Sequence, residues 1–335
     1  MKGVQVILGA LGSREAAALY RDGQLQDLLV DSDAPPPGTI YRARASRPVK
    51  GQGGMFFETP DGSAFCRGAK GIAPGSLHLV QVTGYPETGK AIPVTERLLF
   101  KSRYCIVTPG APGINISRQI KHEETRVALR ACADAFEEDL GECGIIIRSA
   151  AAGADLDAVA DDLDATLEVA RVVLNDTANE PEKLIEGPGP HALAWRDWPL
   201  SPQDTAPDQL EEAYAQAKTG ELSLDGGGMV FVEPTRALVA VDVNTGRDTS
   251  PAAGLKANLA AARALPRLLR VTGLGGQIVV DFAPMPKKDR RSIEQALRAA
   301  CRADDVETAL VGWTPLGHYE LSRKRARAPL HEIVL

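Results

Sequence analysis

Two segments in the C-terminal third, Val239-Ala-Val-Asp-Val-Asn-Thr-Gly246 and Ile278-Val-Val-Asp-Phe282, decide how the fold of this chain is interpreted. Each is rich in β-branched apolar residues, typical of a buried strand, and each carries an aspartate near its end. An ionised carboxylate in a low-dielectric interior is costly unless it is paired or bound to a metal. If the strands are neighbours, Asp242 and Asp281 can reach one Mg²⁺, which takes oxygen ligands.

Asn244 lies two residues after Asp242 and therefore points to the same face of the strand. A metal at this position would polarise a scissile phosphate and activate a water for attack, leaving a 5′-phosphate and a 3′-hydroxyl. The alternative is that each aspartate caps the turn after its strand, which requires no metal. On spacing alone, capping is the commoner role.

The rest of the C-terminal third predicts a mixed α/β layer. We expect strands at 229–233, 238–243, 277–282 and near 308–312, and helices at about 254–270 and 288–302. A short terminal helix is predicted at about 317–325. His318 would lie on that helix, as a packing residue or a phosphate contact rather than a general base.

The front of the chain predicts two smaller modules. Residues 1–38 form a small α/β segment, with strands at 4–8 and 25–30 joined by a short amphipathic piece, and it ends at three prolines that cannot continue a helix or central strand. From 39 to 98, short β-prone runs alternate with glycine-rich turns, as in a five-stranded barrel. Phe56, Phe65 and Lys90 in this stretch suit base stacking and phosphate contact. The alternative is that both phenylalanines belong to the core.

The middle of the chain predicts an α+β segment followed by a connector. Strands at 104–107 and 144–149 flank a helix at about 123–140, whose apolar positions include Val127, and a second helix has one apolar stripe. The stripe consists of Leu156, Val159, Leu163, Leu167, Ala170 and Leu174. Residues 187–220 are a proline-rich connector that either packs through Trp195 and Trp198 or has no fixed packing.

Composition excludes several classes of protein. The chain has 335 residues, of which 44% are hydrophobic and 24% charged, and no apolar run approaches the roughly 18 residues of a membrane span. Its net charge of −6 argues against a protein that coats nucleic acid nonspecifically. The five cysteines contain no CxxC pair, which predicts reduced, mostly buried thiols in a cytoplasmic protein.

The segment from Gly226 to Gly246 closely resembles the catalytic segment of the ribonuclease E/G family. Three further segments match the family in the same order: Asn258-Leu-Ala-Ala-Ala262, Gly273-Leu-Gly-Gly-Gln-Ile-Val-Val-Asp-Phe282 and Leu316-Gly-His-Tyr-Glu-Leu-Ser-Arg-Lys-Arg325. The resemblance implies an endonuclease for single-stranded RNA in which Asp242 and Asp281 hold a catalytic Mg²⁺. It also implies that Asn244 helps to position the metal-bound assembly at the scissile phosphate.

The same resemblance implies an architecture of α/β and β subdomains. These are part of a ribonuclease-H-like subdomain at 1–38, an S1-like OB barrel at 39–98, a 5′-phosphate-sensor α+β segment at 99–186, the connector at 187–220, and a DNase-I-like α/β catalytic subdomain at 221–335. In the barrel, Phe56, Phe65 and Lys90 match RNA-contacting positions.

Two further segments, at 113–120 and 144–149, resemble the pocket by which the family senses a 5′-monophosphate on RNA. They make Arg118, Arg148 and Ser149 the candidate phosphate ligands. Two guanidiniums and a hydroxyl suit a terminal phosphate, because arginine offers bidentate donors. The alternative is that each arginine forms an ordinary surface salt bridge.

The sequence also departs from the family pattern. None of the five cysteines replaces the family's zinc-linking pair, so a homo-oligomer would lack that zinc link, and the barrel looks trimmed around 62–75. A second interpretation is therefore an RNA-binding or regulatory member of the same fold with weak turnover. A third, an enzyme for another phosphodiester, fits the two carboxylates but not the barrel aromatics.

Overall fold

The computed structural model describes residues 3–49, 51, 53–199, 203–204 and 206–335. The chain forms two compact units, one from residues 1–33 together with 201–335, the other from residues 34–200. The first change of unit therefore falls just before the run of prolines at 35–37. In the described part of the chain, no helix is both long and apolar enough to span a bilayer.

The first unit begins with an antiparallel meander of strands β1 Val4–Leu11, β2 Arg14–Arg21 and β3 Gln24–Val30. The segment expected to be a short amphipathic connection is the central strand β2. Its Ala16, Ala17 and Ala18 are fully buried. Alanine favours helices, but hydrogen bonding to a strand on each side overrides that local preference.

The second unit opens with a closed barrel of five strands: β4 Ile40–Pro48, β5 Gly54–Thr59, β6 Gly62–Arg67, β7 Leu77–Val82 and β8 Ile92–Thr95. Their order is β4-β5-β6-β8-β7, and β7 pairs with β4 to close the sheet. Tyr41, Phe57 and Val80 fill the interior and are fully buried. Strand β6 lies within residues 62–75, the stretch in which a trimmed barrel is expected, and the five-stranded sheet nevertheless closes.

Residues 99–186 add a second sheet and two helices. In chain order these are β9 Phe100–Lys101, β10 Cys105–Pro109, β11 Gly113–Ile116, α1 Glu123–Asp134, β12 Cys143–Ile147 and α2 Leu156–Leu174. The sheet order is β11-β12-β10-β9, with β11 and β12 parallel. Strand β13 Glu182–Ile185 then returns to the barrel and pairs with β4.

Both helices differ at their ends from the predicted apolar stripes. Helix α1 ends before Leu140, and Val127, predicted to be apolar and inward, is 60% exposed. In α2 the terminal Leu156 and Leu174 are exposed, and Val173 is buried instead. A helical period identifies the buried face, but the extent of the neighbouring sheet decides which end residues it covers.

The predicted connector contains regular structure. Helix α3 Pro190–Asp197 lies in the second unit, where Trp198 is 6% exposed. Trp195 is 51% exposed, and the guanidinium of Arg103 lies 5.5 Å from its ring centroid. Strand β14 Gln203–Asp204 pairs parallel with β1, and helix α4 Pro207–Lys218 packs on β1 in the first unit. Residues 200–202 and 205 of the predicted connector lie outside the described residues.

The first unit continues with β15 Glu221–Ser223, β16 Met229–Pro234, β17 Val239–Asn244, α5 Ala253–Val271, β18 Gly276–Asp281, α6 Arg290–Ala303, β19 Thr308–Trp313 and β20 Tyr319–Arg323. The sheet order is β15-β16-β17-β18-β20-β19. The predicted terminal helix at 317–325 is wrong, because β20 occupies it. Tyr319, Leu321 and Arg323 are buried while the residues between them are exposed, which is the period of two of a strand.

One face of this sheet is buried and the other is exposed to solvent. Val239, Val241 and Val243 of β17 belong to the hydrophobic core that includes residues of α5 and α6. Asp242 and Asn244, which alternate with them, are exposed on the opposite face. We call this opposite side of β16, β17, β18 and β20 the exposed face.

The burial of the cysteines and of one C-terminal arginine differs from what their residue types suggest. All five cysteines are free, but only Cys66 and Cys105 are buried, so the prediction of mostly buried thiols holds for two of them. Near the C-terminus, Arg323 is buried and forms a 2.7 Å ion pair with Asp304.

Candidate active site

The two aspartates singled out from the sequence are direct neighbours in the sheet. Strands β17 and β18 are parallel, and their register pairs Val241 with Val280 and then Asp242 with Asp281. Both carboxylates project from the exposed face at the C-terminal ends of their strands. The condition set from the sequence, that the strands be adjacent, is met.

Asn244 contributes a hydrogen bond to this pair. Its side-chain Nδ2 donates to Oδ2 of Asp242 at 2.7 Å. The bond fixes the orientation of the Asp242 carboxylate. Because Asn244 is two residues along the same strand, strand β17 alone brings the two side chains together. The structure thus brings Asp242, Asn244 and Asp281 together.

A buried asparagine fixes the end of β18. Asn258, on α5, is fully buried, and its Nδ2 donates to the carbonyl oxygen of Ala283 at 2.9 Å. The amide of Ala283 donates back to Oδ1 of Asn258 at 2.9 Å. This reciprocal pair ties the chain two residues beyond Asp281 to the helix layer, so the carboxylate stands on a rigid support.

His318, predicted from the sequence to be a packing residue or a phosphate contact on a terminal helix, is a neighbour of Asp281 instead. Its Nε2 lies 3.7 Å from Oδ1 of Asp281, within ion-pairing distance. The prediction of a helix at 317–325 hid this contact. His318 comes next to Asp281 because the residues after it form strand β20, which pairs antiparallel with β18. The alternation of apolar Tyr319 and Leu321 with polar Glu320 and Ser322 is the sequence signal that indicates this strand.

The chemistry of this arrangement suits a hard divalent cation. Two carboxylates at one register position repel each other, and a cation between them would relieve that repulsion. Mg²⁺ sites commonly use one or two carboxylates plus waters and substrate phosphates. Within the described residues there is no group of three or more His, Cys, Asp or Glu side chains arranged to hold a metal. Asp242 and Asp281 offer the kind of oxygen donors that Mg²⁺ takes.

The barrel carries an aromatic pair on its outer side. Phe56 and Phe65 are register partners on β5 and β6, and their ring centroids are 5.0 Å apart. Both are half-buried, whereas the adjacent Phe57 is in the core, so the alternative that Phe56 and Phe65 are interior residues is wrong. The guanidinium of Arg47, which the sequence analysis missed, lies 5.0 Å from the centroid of Phe56.

Gly54 and Lys90 lie near this aromatic pair in the barrel sequence. Gly54 has φ of +153°, and a Cβ there would lie 2.6 Å from the Phe65 ring, so only glycine allows the ring to pack over the start of β5. Lys90 is exposed in the loop before β8 and forms an ion pair with Glu87.

The three candidate phosphate ligands occupy one end of the second sheet. Parallel strands β11 and β12 pair Ile116 with Ile147, so Arg118 and Ser149 each follow two residues beyond that pair, and both are exposed. Among the described residues, Arg118 forms no hydrogen bond or ion pair.

Arg148 has a different environment. Its Nη2 forms a 2.6 Å ion pair with Oδ1 of Asp197, and its Nη1 donates to the carbonyl oxygens of Arg103 at 3.0 Å and Arg196 at 3.2 Å. Burial would raise the pKa of Asp197, but the hydrogen bond and charge of Arg196 and the charge of Lys101 hold it well below its usual range. The guanidinium of Arg148 is thus largely occupied within the protein.

Comparison of the sequence with known proteins identifies the family of this chain. The family model described as "Ribonuclease E/G family" matches residues 100–200 and 205–326, more than half of the chain. Ribonuclease G of Salmonella typhimurium is 26% identical over 98% of this chain and 81% of the relative. Ribonuclease E of a Nostoc species is 26% identical over 95% of this chain and 56% of the relative, and ribonuclease G of Haemophilus influenzae is 24% identical over 100% and 82%. On this match, the chain belongs to the ribonuclease E/G family.

Proposed function

We propose that this chain is a Mg²⁺-dependent endoribonuclease that cuts single-stranded RNA in RNA processing or decay, leaving 5′-phosphate and 3′-hydroxyl ends. The observation that carries the proposal is the register pairing of Asp242 with Asp281, with Asn244 bonded to the first carboxylate. The names of the relatives, ribonuclease G and ribonuclease E, support the substrate class.

In this mechanism the protein supplies the cation site and a fixed geometry. Asp242 and Asp281 would hold Mg²⁺, which when bound supplies charge to polarise the scissile phosphate and to activate a water. Asn244 holds the Asp242 carboxylate in one orientation. Asn258 holds the chain after β18 in place, so that the spacing of the two carboxylates is set before substrate arrives.

We further propose that the barrel is the S1-like RNA-binding part of the enzyme. Phe56 and Phe65 offer two half-buried rings on which bases can stack. Arg47 and Lys90 supply positive charge for backbone phosphates. Arg47 also makes a cation–π contact with Phe56. The Asp61 carboxylate on the same barrel is bound by Tyr41 and Lys183, so it does not oppose an RNA strand as a free charge.

The end of strands β11 and β12 is the proposed site for a 5′-monophosphate. Arg118 and Ser149 offer exposed donors there. Arg148 takes the role of a support in this proposal, because its guanidinium is bound to Asp197 and to backbone carbonyls. We also propose that the meander with β14 and α4 is the ribonuclease-H-like part, that the last sheet is DNase-I-like, and that the enzyme acts in the cytoplasm.

The experiment is cleavage of a 5′-monophosphorylated single-stranded RNA by purified protein in Mg²⁺ or in EDTA. Wild type would be compared with Asp242→Asn, Asp281→Asn and, as a matched control, Glu320→Gln, an exposed acid on neighbouring β20. We expect internal cuts with Mg²⁺ in wild type and control, and none in either aspartate variant. RNA binding without cutting, equal in all four proteins, would reject the enzyme and favour a purely RNA-binding member of the family.

A further inference from the structure

His318 extends the row of side chains that forms the candidate active site. Strands β18 and β20 are antiparallel, with Val280 paired to Tyr319. The next position along each strand places His318 beside Asp281, with Nε2 3.7 Å from Oδ1. Tyr319 is buried in the core, so the alternation of the strand sends His318 toward the exposed face that carries Asp281.

The backbone of His318 is held by the turn between β19 and β20. The amide of His318 donates to Oγ1 of Thr314 at 3.1 Å, and the amide of Thr314 donates to the carbonyl oxygen of His318 at 2.8 Å. Gly317, with φ of +100°, makes the tight reversal that these bonds require. The imidazole therefore starts from a fixed backbone, although its side chain is 37% exposed.

The two carboxylates of the site each have a nitrogen-bearing side chain beside them, but from different segments of the chain. Asp242 receives a hydrogen bond from the side chain of Asn244 on its own strand. Asp281 has no such donor on its own strand, because the chain turns away after Phe282 toward Asn258. His318 is the nitrogen-bearing side chain that the structure places beside Asp281. Carboxylates that bind metals are commonly oriented by a second hydrogen-bonding partner.

We propose that His318 is a positioning residue for Asp281: its Nε2–H would donate to Oδ1 and leave Oδ2 available to the cation that Asp242 and Asp281 would hold. This inference rests on the proposed Mg²⁺ site. The present 3.7 Å separation closes to a hydrogen bond with a small rotation of either side chain. In this role His318 does for Asp281 what Asn244 does for Asp242, and it does not contact the substrate.

The test measures Mn²⁺ binding to the full chain in the absence of RNA, by the decrease of the free-Mn²⁺ electron paramagnetic resonance signal. His318→Leu removes the donor, whereas His318→Gln keeps an N–H near the position of Nε2. His331→Leu is the matched control, since His331 lies in the C-terminal turn and pairs with Glu332. Circular dichroism melting of each variant checks that it is folded.

We expect about tenfold weaker Mn²⁺ binding in His318→Leu, near-normal binding in His318→Gln, and no change in His331→Leu. Wild-type affinity in His318→Leu, or equal losses in folded Leu and Gln variants, would overturn the positioning role. If Asp242→Asn and Asp281→Asn lose Mn²⁺ while His318→Leu keeps it, only this inference fails. If wild type binds no Mn²⁺, both this inference and the proposed metal site fail.

Discussion

Asn244 donates a 2.7 Å hydrogen bond from Nδ2 to Oδ2 of Asp242, two residues earlier on the same strand. The bond joins two exposed side chains and adds little to stability, so its importance lies in the orientation of a carboxylate beside Asp281. Each strand of the pair thus brings a carboxylate to the same edge, and local contacts decide how each one is aimed.

Replacing Asn244 tests the orientation of the Asp242 carboxylate separately from the binding of RNA. Asn244→Ala removes the donor to Asp242, and we expect cleavage to fall roughly 10- to 100-fold, the usual cost of losing an outer-shell partner. RNA affinity in EDTA should stay the same, because no RNA contact is removed. Steady-state kinetics with filter binding measures both, and Glu233→Ala, an exposed change on adjacent β16, is the control. Unchanged cleavage in Asn244→Ala would contradict the assigned role.

Asn258 supports the site from below. Asn258→Leu leaves the amide and carbonyl of Ala283 without partners in a buried position. We expect a loss of about 2 kcal/mol in the free energy of unfolding, the usual penalty for stranded buried polar groups. Urea denaturation measures this loss, and reduced cleavage by the folded fraction should accompany it. Full stability in this variant would show that the reciprocal pair is not needed.

The barrel allows a comparison of adjacent phenylalanines. Phe56→Ala should weaken single-stranded RNA binding by about 1–3 kcal/mol, since it removes one stacking surface, with a small effect on stability. Phe57→Ala should instead destabilise the protein by about 3–5 kcal/mol, because Phe57 is fully buried. Fluorescence anisotropy with labelled RNA and thermal melting give the two readings. Equal RNA affinity in wild type and Phe56→Ala would remove the stacking proposal.

Arg118 and Arg148 should have different effects when changed. Arg118→Gln should reduce the preference for 5′-monophosphate over 5′-hydroxyl RNA about tenfold, with stability unchanged, because it loses a charged hydrogen bond only to substrate. Arg148→Ala should cost about 2 kcal/mol of stability, since it removes one of three cations paired with Asp197 and the hydrogen bonds to the carbonyl oxygens of Arg103 and Arg196. Paired cleavage assays on the two RNAs, together with melting curves, distinguish these roles. A stability loss in Arg118→Gln would be the unexpected result.

Asp197 gives a prediction for low pH. Its pKa in the folded protein lies below the unfolded value of about 3.9, so its ionised form contributes stability above that pH. This contribution should be lost as pH falls below about 4 toward the folded pKa. Asp197→Asn should therefore be less stable than wild type at pH 7, and the difference should shrink in acid. Denaturant titrations at pH 7 and pH 3 measure it, and a constant difference would be inconsistent with the lowered pKa.

The sequence by itself determined the strands that carry Asp242 and Asp281, whereas it left open whether Phe56 and Phe65 face the core or the solvent. The reason is local: residues that alternate between core and solvent show a period of two along the strand. The apolar faces of α1 and α2 were visible from the helical period of 3.6 residues, with errors at Val127, Leu156 and Leu174. The resemblance to one family then connected the strands to a chemistry.

Only the tertiary structure decided which strands pair and which distant residues meet. Strand β20 was read as a helix, and its place beside β18 brings His318 to Asp281. Arg148 meets Asp197, a residue 49 positions away, so its guanidinium is bound within the protein. Pairing between distant segments depends on the burial of whole faces and on backbone hydrogen bonds, which do not leave a periodic pattern in either segment alone.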